Sequence, residues 1–271
     1  MTLKSLFDNY IEFGKLIENK HGNMINLKNF DFNPTTMLPL LCTCKNQNLK
    51  LLNGEDAFNF LENNIKLSNY FSKLPKSRIE SDKTQFIGNY VENLDSTYGS
   101  YFVLRHVISE LSNNVYDHSK DEHKDLQSYI YSKLNQKHNK LDISVVDDGI
   151  SIPELFDKND VHFENDCHAI GKAIGPFSTV SDNLYERGNG LRTVVRLISE
   201  GNGGEILIVS RGGAFHIINE KFKYYLLHEK HKFNGTLVSI RVNKYKVQYI
   251  YDLLELNKLN YYTYNGEIHD Y

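Results

Sequence analysis

The sequence predicts an α+β protein in which helices cover one face of a mixed β-sheet, preceded by a small α/β domain. Residues 97–118 repeat apolar side chains with the 3.6-residue period of a helix, and residues 189–200 form a second helical stretch after two glycines. Turn-separated strands then follow one another at 205–210, 214–219, 222–227 and 236–242. Helices followed by a run of antiparallel strands are typical of an α+β sandwich.

The first third of the chain, residues 1–75, predicts a small α/β domain of its own. Helical apolar spacing alternates there with strand-like patterns, with breaks at proline and polar residues. The predicted elements are a helix at 3–20, a strand at 24–32, a helix at 35–45, a strand at 49–52 and a helix at 55–65. Residues 76–96 are mostly polar with weak periodicity, so they are predicted to form a linker.

The second domain is predicted to span residues 97–243 and to begin with the long helix described above. Two paired strands follow at 129–134 and 141–146, joined by a polar turn. The second helix and the four late strands complete this domain. Residues 244–271 are predicted to form a C-terminal helix, over 247–256, and a tail.

The composition indicates a globular cytoplasmic protein. Of 271 residues, 40% are apolar, and no apolar run approaches the roughly 20 residues of a membrane helix. The first residues carry acids and no apolar signal-peptide core, so export is not expected. A net charge of −3 gives no electrostatic reason to expect strong nucleic-acid binding. Three cysteines form no disulfide framework; they are Cys42, Cys44 and Cys167.

A row of polar residues runs along the predicted helix at 97–118. Side chains four residues apart share one helix face, and those of this row are His106, Glu110, Asn114 and His118. The row fits a solvated polar face, or a functional face where a carboxylate takes a proton and an amide oxygen binds a hard cation. A His/Glu metal site is a third interpretation, weakened because the ligands lie along a line without a second cluster.

Three short motifs place glycine beside polar residues. Residues 147–149 (Asp-Asp-Gly) follow a buried-type strand, where glycine lets a ligand approach the backbone; a plain Asp-Gly turn is the alternative. Residues 188–190 (Gly-Asn-Gly) precede a helix whose free N–H groups suit an anion such as phosphate, or form a simple helix-entry turn. Residues 234–236 (Asn-Gly-Thr) are by themselves only a turn into a strand.

Taken in order, these motifs resemble the GHKL ATPase superfamily, which includes gyrase, the MutL repair protein, sensor histidine kinases and anti-sigma-factor serine kinases. The resemblance covers about residues 97–243. It rests on Glu-x-x-x-Asn at 110–114, Asp-Asp-Gly-Ile-Ser-Ile-Pro at 147–153, Gly-Asn-Gly-Leu at 188–191 and Gly-Thr at 235–236. The stretch ELSNNVYDHS, which begins at Glu110, is most similar to the anti-sigma-factor serine-kinase branch.

The resemblance implies a chemical role for three polar residues, together with ATP and Mg²⁺ as ligands. Glu110 matches the general base that acts on water or a hydroxyl group. Asn114 matches the Mg²⁺ ligand. Asp147 matches the acid that accepts a hydrogen bond from the adenine amino group.

The other matched positions surround the nucleotide. Gly149 matches the glycine that lets adenine pack against the backbone, and Thr236 matches the threonine that supports the adenine-binding acid through water. Gly188 and Gly190 match the second glycine box, which bounds an ATP lid at residues 154–187. The implied nucleotide-binding set is Asn114, Asp147, Gly149, Ile152, Gly188, Gly190, Leu191 and Thr236.

Two positions depart from the family pattern. Ser151 and Arg192 stand where the two glycine boxes usually carry a further glycine. A side chain at either position narrows the space for nucleotide or stiffens the lid. Because Glu110, Asn114 and Asp147 are retained, ATP binding is expected, with slow turnover.

The resemblance therefore implies an ATP–Mg²⁺-binding module that works as a nucleotide-dependent switch or slow ATPase. A protein serine/threonine kinase of the anti-sigma-factor type and a non-hydrolysing pseudo-ATPase are the alternatives. A protein partner is implied, and a homodimer is compatible with the family. Residues 24–70 faintly resemble STAS-type anti-sigma-factor antagonist domains; the alternative is an unrelated α/β cap on the ATPase.

Overall fold

The computed structural model describes most of the chain. The described residues are 3–28, 30–51, 59, 61–62, 69–75, 80–118, 126–175, 190–245, 247, 262 and 264–271, with the backbone alone at 117–118. Most of the predicted helices at 55–65 and 247–256 lies outside the described residues. Gly188 and the side chain of His118 also lie outside them.

The described strands form a large mixed sheet and a small one. The strands are β1 (Met24–Ile25), β2 (Lys50–Leu51), β3 (Asn69–Lys73), β4 (Ser128–Asn135), β5 (Lys140–Asp147), β6 (Glu205–Arg211), β7 (Gly213–Ile218), β8 (Lys221–Leu226), β9 (Phe233–Asn243) and β10 (His269–Asp270). The large sheet has the order β10-β8-β7-β6-β9-β5-β4-β3, and β1 pairs with β2 in parallel. Only β10 and β8 are parallel among the neighbouring strands of the described large sheet.

Helices lie on both faces of this sheet. The described helices are α1 (Leu6–Glu18), α2 (Pro34–Gln47), α3 (Glu80–Glu92), α4 (Tyr101–His118), α5 (Ile152–Lys158), α6 (Asp166–Ala173) and α7 (Gly190–Arg196), which continues into a π-helical turn at Leu197–Gly201. In the described part of the chain, no helix combines the length and the apolar character required to cross a membrane.

The inner face of the sheet packs against α3, α4, α6 and α7. Helix α4 buries an apolar stripe that recurs every four residues, with Val103, Val107 and Leu111 at most 1% exposed. Alternation along β5 separates two cores, because Val145 belongs to the inner cluster and the next residue, Val146, to the outer one. The α+β sandwich predicted from the sequence is confirmed by this arrangement.

The outer face of the sheet is covered by α1 and α2. Both helices have side-chain N-caps, since Ser5 accepts from the Asp8 N–H in a capping box and Asn33 accepts from the Thr36 N–H. Their apolar side chains join the outward-facing residues of β4, β5, β6, β7 and β9 in one cluster. The described residues of the first 75 therefore supply a third layer and the edge strand β3 to the same sheet.

Two predicted connecting segments contain packed helices. Residues 76–96, predicted as a linker, include α3, whose Ile87, Tyr90 and Val91 are buried in the inner core. Tyr90 also donates its hydroxyl to the carbonyl oxygen of Tyr70 on β3, at 3.0 Å. Residues 154–175 of the predicted lid include most of α5 and all of α6, and α6 packs against the sheet. Helix α3 has only three buried residues among 13, and α5 and α6 span seven and eight residues, so each gives a weak periodic signal in the sequence.

Candidate functional site

Asp147 is the last residue of β5, and the loop that follows holds its carboxyl group in place. The Gly149 N–H donates to Asp147 Oδ1 at 3.0 Å. No described residue donates a hydrogen bond to the second oxygen, Oδ2. Burial raises the pKa of Asp147 to about 7, the Gly149 hydrogen bond opposes this rise, and the negative charge of Asp148 adds to it. One carboxyl oxygen therefore remains available to a ligand in a desolvated position.

Two glycines make room for this acid. A Cβ atom on Gly149 would lie 2.9 Å from Asp147 Oδ1 and 3.0 Å from the Leu126 Cδ1 atom. At Gly235 a Cβ atom would lie 2.1 Å from the Asp147 carbonyl oxygen, and the backbone there has φ +147°, which L-residues rarely adopt. Gly235 accordingly requires glycine, whereas a side chain at Gly149 would displace the ends of the Asp147 and Leu126 side chains.

Thr236 joins the Asp147 end of β5 to neighbouring elements. It is the register partner of Asp147 across the β5–β9 ladder and of Ser210 across the β6–β9 ladder. The hydroxyl groups of Thr236 and Ser210 are 3.0 Å apart, and the Ile152 N–H donates to the Ser210 hydroxyl at 2.9 Å. The start of α5 is thus tied to the same cluster. Sequence reasoning missed Ser210, although a serine inside an apolar strand was a usable signal.

Ser151 is accommodated as a helix cap. Its side chain accepts from the Glu154 N–H, and its backbone has the extended conformation (φ −71°, ψ 159°) that any residue adopts. The hydroxyl is therefore directed at the first turn of α5. The departure from glycine at this position is explained by local helix stability, and it requires no unusual backbone.

Glu110 and Gly190 form the second part of the candidate site. A Cβ atom on Gly190, the first residue of α7, would lie 2.2 Å from Glu110 Oε2 and 3.2 Å from Glu110 Cδ. The carboxylate of α4 is therefore packed against the backbone where α7 begins. Leu191 and Arg192 are the next two residues and both are buried, at 9% and 6% exposure.

Asn114 lies one helical turn beyond Glu110 on α4, and both side chains are half-buried. Neither makes a hydrogen bond to another described residue. The amide oxygen of Asn114 is a hard ligand of the type that Mg²⁺ accepts. Among the described side chains, which do not include that of His118, no group of three or more His, Cys, Asp or Glu residues is placed to hold a metal ion.

The two parts of the site share one apolar support. Leu111 of α4, Val145 of β5 and Leu191 of α7 belong to the same inner core cluster, and Ile152 packs against it. The structure thus groups Asp147, Gly149, Ile152 and Thr236 at one end of the central strands. It groups Glu110 with Gly190 between two helices. No hydrogen bond between described residues joins the two groups. Gly188 lies outside the described residues.

The site combines three features in an α+β sandwich. An acid stands at the end of a central strand, glycines open the backbone around it, and a neighbouring helix carries a carboxylate and an amide. These features define a nucleotide-binding α+β sandwich. The chain matches the family model described as "Histidine kinase-, DNA gyrase B-, and HSP90-like ATPase" over residues 100–244, which is more than half of its length. The chain belongs to this family, and the predicted GHKL membership is confirmed. No curated protein matches the chain.

The residues present fit ATP as a ligand. Asp147 Oδ2 accepts no hydrogen bond from a described residue. The neighbouring Gly149 and Gly235 carry no side chain that would fill the space beside the carboxyl group. Such an oxygen can accept a hydrogen bond from the exocyclic amino group of adenine, because a partly buried acceptor without a donor is costly and a bound donor removes that cost. The side chains of Asn114 and Glu110 make no hydrogen bond to another described residue. Together with the family match, these features support an ATP-binding GHKL module.

Proposed function

We propose that the chain binds ATP with Mg²⁺ and acts as a nucleotide-dependent switch or slow ATPase. The observation that carries this proposal is the environment of Asp147, where one oxygen is fixed by Gly149 and the other is left to a ligand. The family match supports the same ligand. We further propose a cytoplasmic location, a protein partner and compatibility with a homodimer, as the resemblance implies.

Each site residue has a role in this proposal. Asp147 accepts from the adenine amino group, with Gly149, Ile152 and Thr236 around the base. Asn114 holds Mg²⁺, which supplies charge stabilisation to the phosphates when bound. Gly188, Gly190 and Leu191 border the phosphates. Glu110 holds or receives the proton of the attacking hydroxyl group.

Slow turnover follows from how the two glycine boxes are built. Arg192 is buried on α7 at a position where the family pattern has glycine, and Ser151 caps α5. Cys167 and Ile170 of α6 are also buried, which fixes the first half of the predicted lid against the sheet. These features restrict the conformations available around the phosphates. A restricted site favours a switch that holds nucleotide over an enzyme that releases product quickly.

A protein serine/threonine kinase is the second candidate function. It is favoured by the row on α4, where Glu110 and Asn114 occupy one helix face in the spacing of the anti-sigma-factor kinase branch. The test is incubation with radiolabelled ATP and candidate protein partners. Transfer of label to a serine or threonine of a partner supports the kinase, whereas release of phosphate alone supports the slow ATPase.

Asp147→Asn is expected to weaken ATP binding at pH 8 by about 1.5–3 kcal/mol, the contribution of a hydrogen bond to a charged group. The ionised carboxylate is a stronger acceptor than an amide, which can also present its NH₂ group to the adenine amine. Calorimetric titration of both proteins with ATP–Mg²⁺ measures the difference. An unchanged affinity would show that Asp147 does not contact adenine.

The same variant is expected to be more stable than the wild type without nucleotide at high pH. The pKa of Asp147 is about 7 in the folded chain and near 4 in the unfolded chain, so the folded chain holds this proton more tightly. The protonated Asp147 carboxyl group therefore stabilises the folded chain at low pH, and this stabilisation is lost as pH rises through 7. The advantage of Asp147→Asn in free energy of unfolding should therefore grow by about 2 kcal/mol between pH 5 and pH 8, measured by urea unfolding.

Gly190→Ala is expected to reduce ATP hydrolysis by on the order of tenfold to a hundredfold, because the new Cβ atom displaces the Glu110 carboxylate. Gly88→Ala on α3 is the matched control, since a Cβ atom there meets nothing within 4 Å. Steady-state phosphate release measures both variants. Equal rates for Gly190→Ala and the wild type would mean that the position of Glu110 does not control turnover.

A further inference from the structure

We propose that Asn46 of α2 and Asp148 are positioning residues for the adenine-binding loop, residues 147–149, so that the outer helical layer is part of the nucleotide site. This inference rests on the proposed function. It concerns two residues to which the family resemblance assigns no role: Asn46 lies outside the matched motifs, and Asp148 lies within the motif at 147–153 without a matched function. It also gives the outer layer a task beyond covering the sheet.

The carboxylate of Asp148 is fully engaged by the protein. Its Oδ1 atom accepts from the Gln127 N–H at 2.7 Å, and its Oδ2 atom accepts from Asn46 Nδ2 at 3.0 Å. The Asp148 N–H in turn donates to the Gln127 carbonyl oxygen at 3.1 Å. The two adjacent acids thus have different uses. Asp148 is committed to structure on both oxygens, while Asp147 keeps one oxygen for a ligand.

Helix α2 reaches this loop through two residues one turn apart. Asn46 bonds to Asp148 directly, and the Cys42 thiol lies 4.0 Å from the Gln127 carbonyl oxygen. Gln127 is itself held from the side, because the Tyr129 hydroxyl donates to its Oε1 atom at 2.7 Å. The contact between Asn46 and Asp148 joins residues 102 positions apart in the chain.

The loop is clamped between α2 and β9. On the β9 side, a Cβ atom at Gly235 would lie 2.8 Å from Asp148 Cα and 2.1 Å from the Asp147 carbonyl oxygen, so the backbones are already in close contact. On the α2 side, Asn46 holds the Asp148 carboxylate. Loss of the hydrogen bond from Asn46 to Asp148 would leave the loop held on the β9 side only, so that Asp147 could shift. A displaced acceptor loses its geometry toward an amino group.

The test compares ATP with GTP in calorimetric titrations of the full chain. Guanine carries a carbonyl oxygen where adenine carries its amino group, so a correctly placed Asp147 acceptor favours ATP and disfavours GTP. Asn46→Ala is expected to weaken ATP binding about fivefold, the factor of an ordinary net hydrogen bond, and to leave GTP binding nearly unchanged. Gln47→Ala, the next residue on the same exposed helix end, is the matched control and should behave as the wild type.

The outcomes separate the inference from the proposed function. A falling ratio of ATP affinity to GTP affinity in Asn46→Ala, with a wild-type ratio in Gln47→Ala, supports positioning. An equal loss for both nucleotides, or no loss, overturns it, because a merely structural contact has no reason to change base preference. Wild-type protein that binds neither nucleotide at millimolar concentration overturns the proposed function and this inference with it. Asp148→Ala, which removes both carboxylate bonds, should show the larger loss of preference.

Discussion

Replacing Glu110 with alanine is expected to lower the rate of ATP hydrolysis by about 10²–10⁴-fold, the usual contribution of a general base, while ATP affinity changes little. The reason lies in the placement of this carboxylate. It is packed against the backbone of Gly190 at the start of α7, and it forms no hydrogen bond to a described residue. The proposed function assigns the role of proton acceptor to this carboxylate, so its removal should affect hydrolysis more than binding.

Two further variants make this experiment specific. Glu110→Gln keeps the shape of the side chain and its contact with Gly190 but removes the basic oxygen, so it should lose as much activity as Glu110→Ala. Glu92→Ala, at the exposed end of α3, removes an acid without touching the site and should retain full activity. Steady-state phosphate release gives the rates, and calorimetry gives the affinities. Wild-type and Glu110→Ala proteins with the same background rate would favour the pseudo-ATPase.

The inner half of the fold could be predicted because its signals are local. Helix α4 repeats buried residues every four positions, and β4 and β5 form a hairpin whose partners lie close together in the chain. The late strands β6, β7 and β8 are also joined by short turns. In each case the pattern that predicts the element lies within the element or its immediate neighbour.

The sequence predicts the helices α1 and α2 of the outer layer, but their packing on the sheet could not be predicted, because the contacts that fix it are distant in sequence. The outward-facing Tyr129, Leu207 and Val209 show that the second face of the sheet is apolar and needs a cover. Which segment supplies that cover is decided by long-range bonds, such as that between the Leu6 N–H and Glu205 Oε1, 199 positions apart. The predicted strands at 24–32 and 49–52 contain β1 and β2, which have two residues each, and the parallel pairing of the two is a tertiary contact that the sequence pattern does not specify.

The candidate site shows the same division. Asp147, Gly149 and Glu110 could be selected because their residue types and spacing carry chemical meaning on a single element. Asn46 could not, since an exposed asparagine at the end of a helix has no distinguishing pattern until the fold places it beside Asp148. Supporting residues act through tertiary neighbours, whereas the residues that they support occupy motifs. Sequence reasoning therefore finds the second kind more readily.

Arg241→Ala is expected to lower the free energy of unfolding by about 3–5 kcal/mol, the cost of breaking a buried ion pair by removing one partner. Arg241 is 4% exposed, donates twice to Asp142 (2.7 and 2.8 Å), and donates to Glu205 Oε2 at 2.8 Å. It also donates to the Lys4 carbonyl oxygen at 2.8 Å, which ties the segment just before α1 to the sheet. Without the guanidinium group, two buried acids lose their counter-charge.

Most of the expected loss in free energy of unfolding comes from leaving two buried carboxylates unpaired. The net stabilisation by the ion pair itself is smaller, so a second variant that also removes a carboxylate charge should recover part of the loss. Asp142→Asn combined with Arg241→Met removes charges of both signs and should restore part of the lost stability. Lys230→Ala is the control, because its pair with Glu18 also joins α1 to the sheet side but is about half exposed. It should cost less than about 1 kcal/mol. Urea unfolding measures all three, and a loss for Arg241→Ala as small as that for Lys230→Ala would contradict the assignment.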